Sequence, residues 1–139
     1  MTLRPYRSVL YIPGGRARAL EKARSMPVDS IIFDLEDAVA LEEKDSARAT
    51  LVAHLLEGGY GPRSQIIRIN GLDTPWAAED IAAIAEVRPE AVLLPKVDNA
   101  EMISELGAVM GRYEGFENTK IWAMMETPRG ILKAAEIAD

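Results

Sequence analysis

Short apolar runs and longer segments of helical period alternate along the whole chain, and this alternation constrains the fold more than any single motif. The apolar runs are residues 8–12, 31–35, 65–70, 91–95 and 120–125. Each leads into a segment whose apolar residues recur at helical spacing. The first helix follows the turn Pro13-Gly14-Gly15 and carries Ala19, Leu20 and Ala23. The second presents Ala47, Leu51, Val52 and Leu55 on one face and ends at Gly58-Gly59. Thr74-Pro75 reads as N-cap and first residue of the third, which continues through Ile81 and Ile84. Asp98 and Glu101 form a capping box ahead of a stripe of Ile103, Leu106, Met110 and Tyr113, and Thr127-Pro128 opens a fifth helix. About five βα units in a row predict an α/β fold with a parallel sheet covered on both faces. Two architectures satisfy that pattern. A doubly wound five-stranded sheet would be complete at 139 residues. A (β/α)8 barrel needs roughly 200 residues or more, so this chain would supply only its front part.

Composition removes several function classes. Sixteen basic against twenty-two acidic residues give a net charge of −6, which argues against nucleic acid or an anionic membrane as partner. Cysteine is absent, so disulfides, thiolate metal sites and cysteine nucleophiles are excluded, and a reducing cytoplasmic setting is expected. The single histidine, His54, flanks the apolar stripe of the second helix, away from the strand ends. No uncharged apolar run approaches the ~18 residues of a membrane span. The start, Met1-Thr-Leu-Arg-Pro5, does not read as a signal peptide.

In both architectures function gathers at the carboxyl ends of the strands, and the unexpected polar residues lie there. Alternation puts Asp34 and Glu36 on one face of the second strand, opposite Phe33 and Leu35, with Asp37 just beyond. Mutual repulsion in this acidic cluster calls for a cation or shared protons. Arg68 and Asn70 share a face of the third strand. An arginine among isoleucines must meet either those carboxylates or an anionic substrate. Glu126 ends the fifth strand on the face of Trp122 and Met124. It suits a site and a helix N-terminus equally. Lys96 after Leu94-Pro95 sits where a Schiff-base lysine can sit, although a surface role is the commoner outcome. Pro13-Gly14-Gly15-Arg16, between strand and helix, could meet a phosphate through free N–H groups and a guanidinium.

Five segments in order resemble the citrate lyase β-subunit and malyl-CoA lyase-like proteins of the HpcH/HpaI aldolase superfamily. They are the stretch 11–22 beginning Tyr11-Ile-Pro-Gly-Gly-Arg16, Asp34-Leu-Glu-Asp37 with Glu43-Lys44, Arg68-Ile-Asn70 through Thr74-Pro75, Leu94-Pro95-Lys96-Val97, and Met125-Glu126-Thr127. Three details depart from the usual pattern. Tyr11 stands where Phe is frequent, Gly15 where Asn or Ser is, and Met124-Met125 precede the Glu where Ile is usual.

The resemblance implies a (β/α)8 TIM barrel of which residues 1–139 are the N-terminal part, about the first five βα units. The activity it implies is Mg2+-dependent cleavage of a carbon–carbon bond in a 3-hydroxyacyl-CoA such as malyl-CoA or citramalyl-CoA, releasing acetyl-CoA and a 2-oxo acid. By motif match, Arg68 corresponds to the substrate-binding arginine, Glu126 to a Mg2+ ligand also near substrate, and Tyr11, Arg16 and Lys22 to CoA-contacting positions. Glu36 and Asp37, with Asp34, match the acidic cluster beside the metal. A second metal-binding Asp and a C-terminal catalytic acid lie beyond Asp139, so the isolated chain is expected to be inactive. A homotrimer or hexamer is implied for the complete enzyme. Two alternatives stay open: a metal-independent Schiff-base aldolase using Lys96, and a non-enzymatic flavodoxin-like domain.

Overall fold

The structure, a computed structural model, describes residues 5–139. Residues 1–4, which carry most of the stretch read above for a signal peptide, lie outside the described residues. Strands β1 (Val9–Pro13), β2 (Ser30–Asp34), β3 (Ser64–Arg68), β4 (Ala91–Leu94) and β5 (Lys120–Ala123) alternate with helices α1 (Ala17–Ala23), α2 (Lys44–Glu57), α3 (Ala77–Ala85) and α4 (Ala100–Met110). Two short helices, α5 (Pro128–Leu132) and α6 (Ala134–Ala138), follow β5.

The five strands form one parallel sheet in the order β1-β2-β3-β4-β5. Each new strand joins the same edge, so the order never reverses. A doubly wound sheet requires a reversal, and the flavodoxin-like alternative is therefore overturned. Right-handed crossovers that always advance one way put every helix on the same face. The other face, on the inside of the curved sheet, is covered by side chains of its own. The outward strand residues Ile31, Phe33, Leu35, Ile67, Ile69, Val92 and Leu94 pack in one core with Leu20, Leu51, Leu55, Ile81, Ile84 and Leu106 from the helices. The inward residues Ile32, Ile66, Ala91 and Leu93 form a separate cluster with Trp122 and Met124. This is the wall of a partial barrel, helices outside and lumen inside.

Local signals held unevenly. Gly58 and Gly59 end α2 with φ of +75° and +89°, which residues with a Cβ rarely adopt. Thr127 caps α5 by accepting the Gly130 N–H (2.9 Å), with Pro128 at the first helical position. Thr74 does not cap α3; its hydroxyl donates to the Gly71 carbonyl (2.6 Å) and closes a turn, so the helix begins at Ala77. Asp98 does not cap α4 either. It accepts from the Thr127 hydroxyl (2.5 Å), and Asn99 caps the helix through the Met102 N–H (3.0 Å). Tyr113 lies past the end of α4, exposed, with its ring edge-on to Phe116. On α2 the buried positions are Lys44, Ala47, Arg48, Leu51 and Leu55, while Val52 is half-buried.

Candidate functional site

The carboxyl ends of β2 to β5 bring the acidic cluster, Arg68, Lys96 and Glu126 to one rim of the barrel. Asp34, at the last position of β2, pairs in register with Arg68 on β3. Their side chains meet as two parallel hydrogen bonds, Arg68 Nε to Asp34 Oδ1 (2.7 Å) and Nη2 to Oδ2 (2.5 Å). Asp34 also accepts the backbone N–H groups of Glu36 (2.8 Å) and Ala38 (3.0 Å). Burial raises the pKa of such a carboxyl, but Arg68 and the backbone donors outweigh it and hold Asp34 below the usual carboxylate range. Burial likewise works against the Arg68 charge, and hydrogen bonding to Asp34 with the charges of Asp34 and Glu36 more than offsets it, so Arg68 stays cationic. Arg68 Nη1 lies 3.0 Å from Glu36 Oε2, and the Tyr11 ring covers the guanidinium at 5.2 Å.

The cation that the acidic cluster requires is therefore supplied by the chain itself. Glu36 Oε1 also receives Lys96 Nζ, which lies 3.5 Å from Asp37 Oδ1. The hydrogen bond to Glu36 raises the Lys96 pKa against the opposing effect of burial. An ammonium held this way is a poor nucleophile, which counts against the Schiff-base alternative.

Glu126 is exposed, and its Oε1 accepts the Lys96 N–H (2.8 Å). Its other oxygen has no hydrogen-bond partner among the described residues. Among those residues no three metal-ligating side chains gather at one point. Asp34 and Glu36, which the resemblance sets beside the metal, are occupied by Arg68 and Lys96. Glu126, with one oxygen unengaged, offers Mg2+ the hard, accessible carboxylate oxygen it prefers.

A cleft of about 760 Å3 opens beside this rim, lined by Glu36, Asp37, Lys44, Asn70, Trp76 and Lys96 among others. Its floor rests on a buried polar network that the sequence reading missed. Lys44 Nζ donates to the carbonyls of Leu35 (2.9 Å) and Glu36 (2.6 Å) and lies 5.6 Å from the Trp76 ring centroid. Burial lowers its pKa, against the pull of the surrounding carboxylates. Asn70 Nδ2 donates to the same Leu35 carbonyl (3.0 Å) and to Asp80 Oδ2 (2.6 Å), while Arg48 Nε donates to Asp80 Oδ1 (2.8 Å). A signal for it existed. Positions 44, 48, 51 and 55 follow helical spacing, so Lys44 and Arg48 lie on the buried stripe of α2.

The remaining candidates lie elsewhere. Arg16, at the N-terminus of α1, and Lys22, in its last turn, are exposed and do not line the cleft. His54 is half-buried on α2, its Nδ1 2.9 Å from the Thr50 carbonyl, away from the rim as expected.

Residues 7–139 match the family described as HpcH/HpaI aldolase/citrate lyase. The chain belongs to that family. Over 134 residues it is 50% identical to a (3S)-malyl-CoA thioesterase of Cereibacter sphaeroides, covering 96% of this chain and 45% of that protein. It is 39% identical over 140 residues to citrate lyase subunit beta of Leuconostoc mesenteroides, covering 96% of this chain and 46% of that one. The crystal structure of protein CitE from Mycobacterium tuberculosis with magnesium, acetoacetate and coenzyme A superposes with a TM-score of 0.75 at 31% identity, covering 98% of this chain and 46% of that one. The chain spans about half the length of the curated relatives it matches. As an HpcH/HpaI family member it carries the partial barrel described above. No helix among the described residues is long and apolar enough to cross a membrane.

Proposed function

We propose that these 139 residues are the N-terminal part of a single TIM-barrel enzyme, a Mg2+-dependent carbon–carbon lyase acting on a 3-hydroxyacyl-CoA of the malyl-CoA type. The observation that carries this reading is the pairing at one rim of a fixed, permanently charged Arg68 with an accessible Glu126. In the retro-Claisen direction the hydroxyl proton leaves to a base, the bond between the hydroxyl-bearing carbon and the thioester α-carbon breaks, and its electrons pass to the thioester. Negative charge then grows on the thioester oxygen. A guanidinium already oriented stabilises that charge without reorganising. Asp34 takes two of Arg68's N–H groups, Nη1 pairs with Glu36 and donates to Met124 Sδ (3.7 Å), and the second Nη2 hydrogen can meet a substrate oxygen.

In this reading Glu126 holds Mg2+ together with donors from beyond Asp139, and the bound ion supplies Lewis-acid stabilisation of oxygen charge. Glu36 and Asp37 border the reacting groups, while Tyr11, Arg16 and Lys22 face the CoA moiety, the two cations meeting its phosphates. Acyl-CoA is the partner, with neither nucleic acid nor membrane. The complete enzyme is a cytoplasmic homotrimer or hexamer. Ile131 and Leu132, 58% and 87% exposed on α5, support a covering surface from the rest of the barrel or from a neighbouring subunit.

The 50% identity to a (3S)-malyl-CoA thioesterase, against 39% to citrate lyase subunit beta, favours a second reading: hydrolysis of the same thioester. Product analysis separates the two. The protein at its native length is incubated with (3S)-malyl-CoA and Mg2+, and the products are resolved by chromatography. Acetyl-CoA with glyoxylate is the expected result. Free CoA with malate, and no acetyl-CoA, establishes hydrolysis instead.

A further inference from the structure

Lys96, separated from β4 by Pro95, has a φ of +51°, a left-handed conformation that a side chain disfavours. Among the described residues only Arg88 shares that property outside glycine. Backbone outliers held in place by their surroundings cluster at functional sites, and here the contacts that hold it are visible. The Lys96 N–H donates to Glu126 Oε1 (2.8 Å), and the next N–H, of Val97, donates to the Met124 carbonyl (3.3 Å). Rotating φ out of the left-handed region breaks one of these two bonds. At the other end of the residue the ammonium is anchored to Glu36. Pairing of a lysine with a carboxylate requires no strained backbone. The strain is explained if the conformation serves Glu126.

We propose that Lys96 is a positioning residue: its left-handed backbone, anchored through the ammonium–Glu36 pair, aims an N–H at Glu126 and orients that carboxylate for a divalent cation. This rests on the reading of Glu126 as a metal ligand. Partners that orient a ligand matter to metal affinity even when they never touch the ion.

Lys96→Gly and Lys96→Val test it, because both lose the ammonium and differ in their tolerance of positive φ. Glycine adopts the left-handed region freely, whereas a β-branched residue is a marked outlier there. Each variant, in the protein at its native length, is titrated calorimetrically with MgCl2 alone and unfolded thermally without metal. The valine variant is expected to bind Mg2+ about tenfold or more weakly than the glycine variant. If Lys96→Val does not fold, Lys96→Ala replaces it and is read against glycine in the same way. Equal affinities in variants of a protein that binds Mg2+ overturn this proposal alone. No Mg2+ binding by the unsubstituted protein overturns the metal reading and this proposal with it.

Discussion

Replacing Arg68 with methionine is expected to destabilise the fold by about 3–5 kcal/mol at neutral pH, because it leaves the buried Asp34 carboxylate without its cation and Glu36 with Lys96 alone. Asp34 is 1% exposed and Glu36 8% exposed, and Arg68 bonds to both. The pH dependence identifies the cause. In the unsubstituted protein the Asp34 carboxyl is held below the usual carboxylate range, so it contributes stability that is present at neutral pH and lost as pH falls below about 4. Without Arg68, burial acts with less opposition and pushes the carboxyl up. The folded state then binds a proton more readily than the unfolded state, and acidification from neutral pH restores part of the lost stability. Urea titrations at neutral and mildly acidic pH read this directly: the gap between variant and parent narrows as pH falls. A gap independent of pH shows that lost packing, not the unpaired carboxylate, is the cause. Turnover is also expected to fall about a hundredfold or more, as when a preorganised donor is removed from the developing charge.

The second large effect is expected away from the rim. Asp80 is 1% exposed on α3 and accepts from Arg48 on α2, while also accepting the backbone and side-chain N–H groups of Asn70. Asp80→Ala removes the acceptor for all three and strands a buried guanidinium, at about 3–5 kcal/mol. Arg48 Nη1 keeps its links to Asp45 (3.1 Å) and Glu79 (2.9 Å), but those carboxylates are largely exposed and screened. Combining Asp80→Ala with Arg48→Met is expected to recover much of the loss, since apolar replacement of both members of a buried pair is often near neutral. A double variant as unstable as the sum of the two singles contradicts this account of the network.

Much of this architecture was legible in the sequence because burial is periodic. The five strands appear within a few residues of their expected positions, and alternation put Asp34 and Glu36 opposite Phe33 and Leu35. The demand that Arg68 find an anionic partner followed from the cost of burying it, and Asp34 meets that demand. What stayed hidden depends on contacts distant in sequence. Asp98 looked like a cap for α4 but is held by Thr127, twenty-nine residues away. Lys96 looked like a surface lysine until the fold brought Glu36, from beyond β2, and Glu126, from beyond β5, to its strand end. The choice between barrel and doubly wound sheet is a matter of strand order, which no local pattern encodes. Lys44 and Arg48 were legible by their helical spacing from Leu51 and Leu55, but charged residues are so seldom fully buried that neither was placed on the apolar face.

The most direct test of the central claim is the turnover of (3S)-malyl-CoA by the protein at its native length, with and without a chelator, for the parent and Glu126→Gln. The account predicts consumption that EDTA abolishes and added Mg2+ restores, with the Glu126→Gln rate lower by about a hundredfold or more while the fold is retained, because the glutamine oxygen still accepts the Lys96 N–H. Turnover that survives both the chelator and the loss of the Glu126 carboxylate contradicts it.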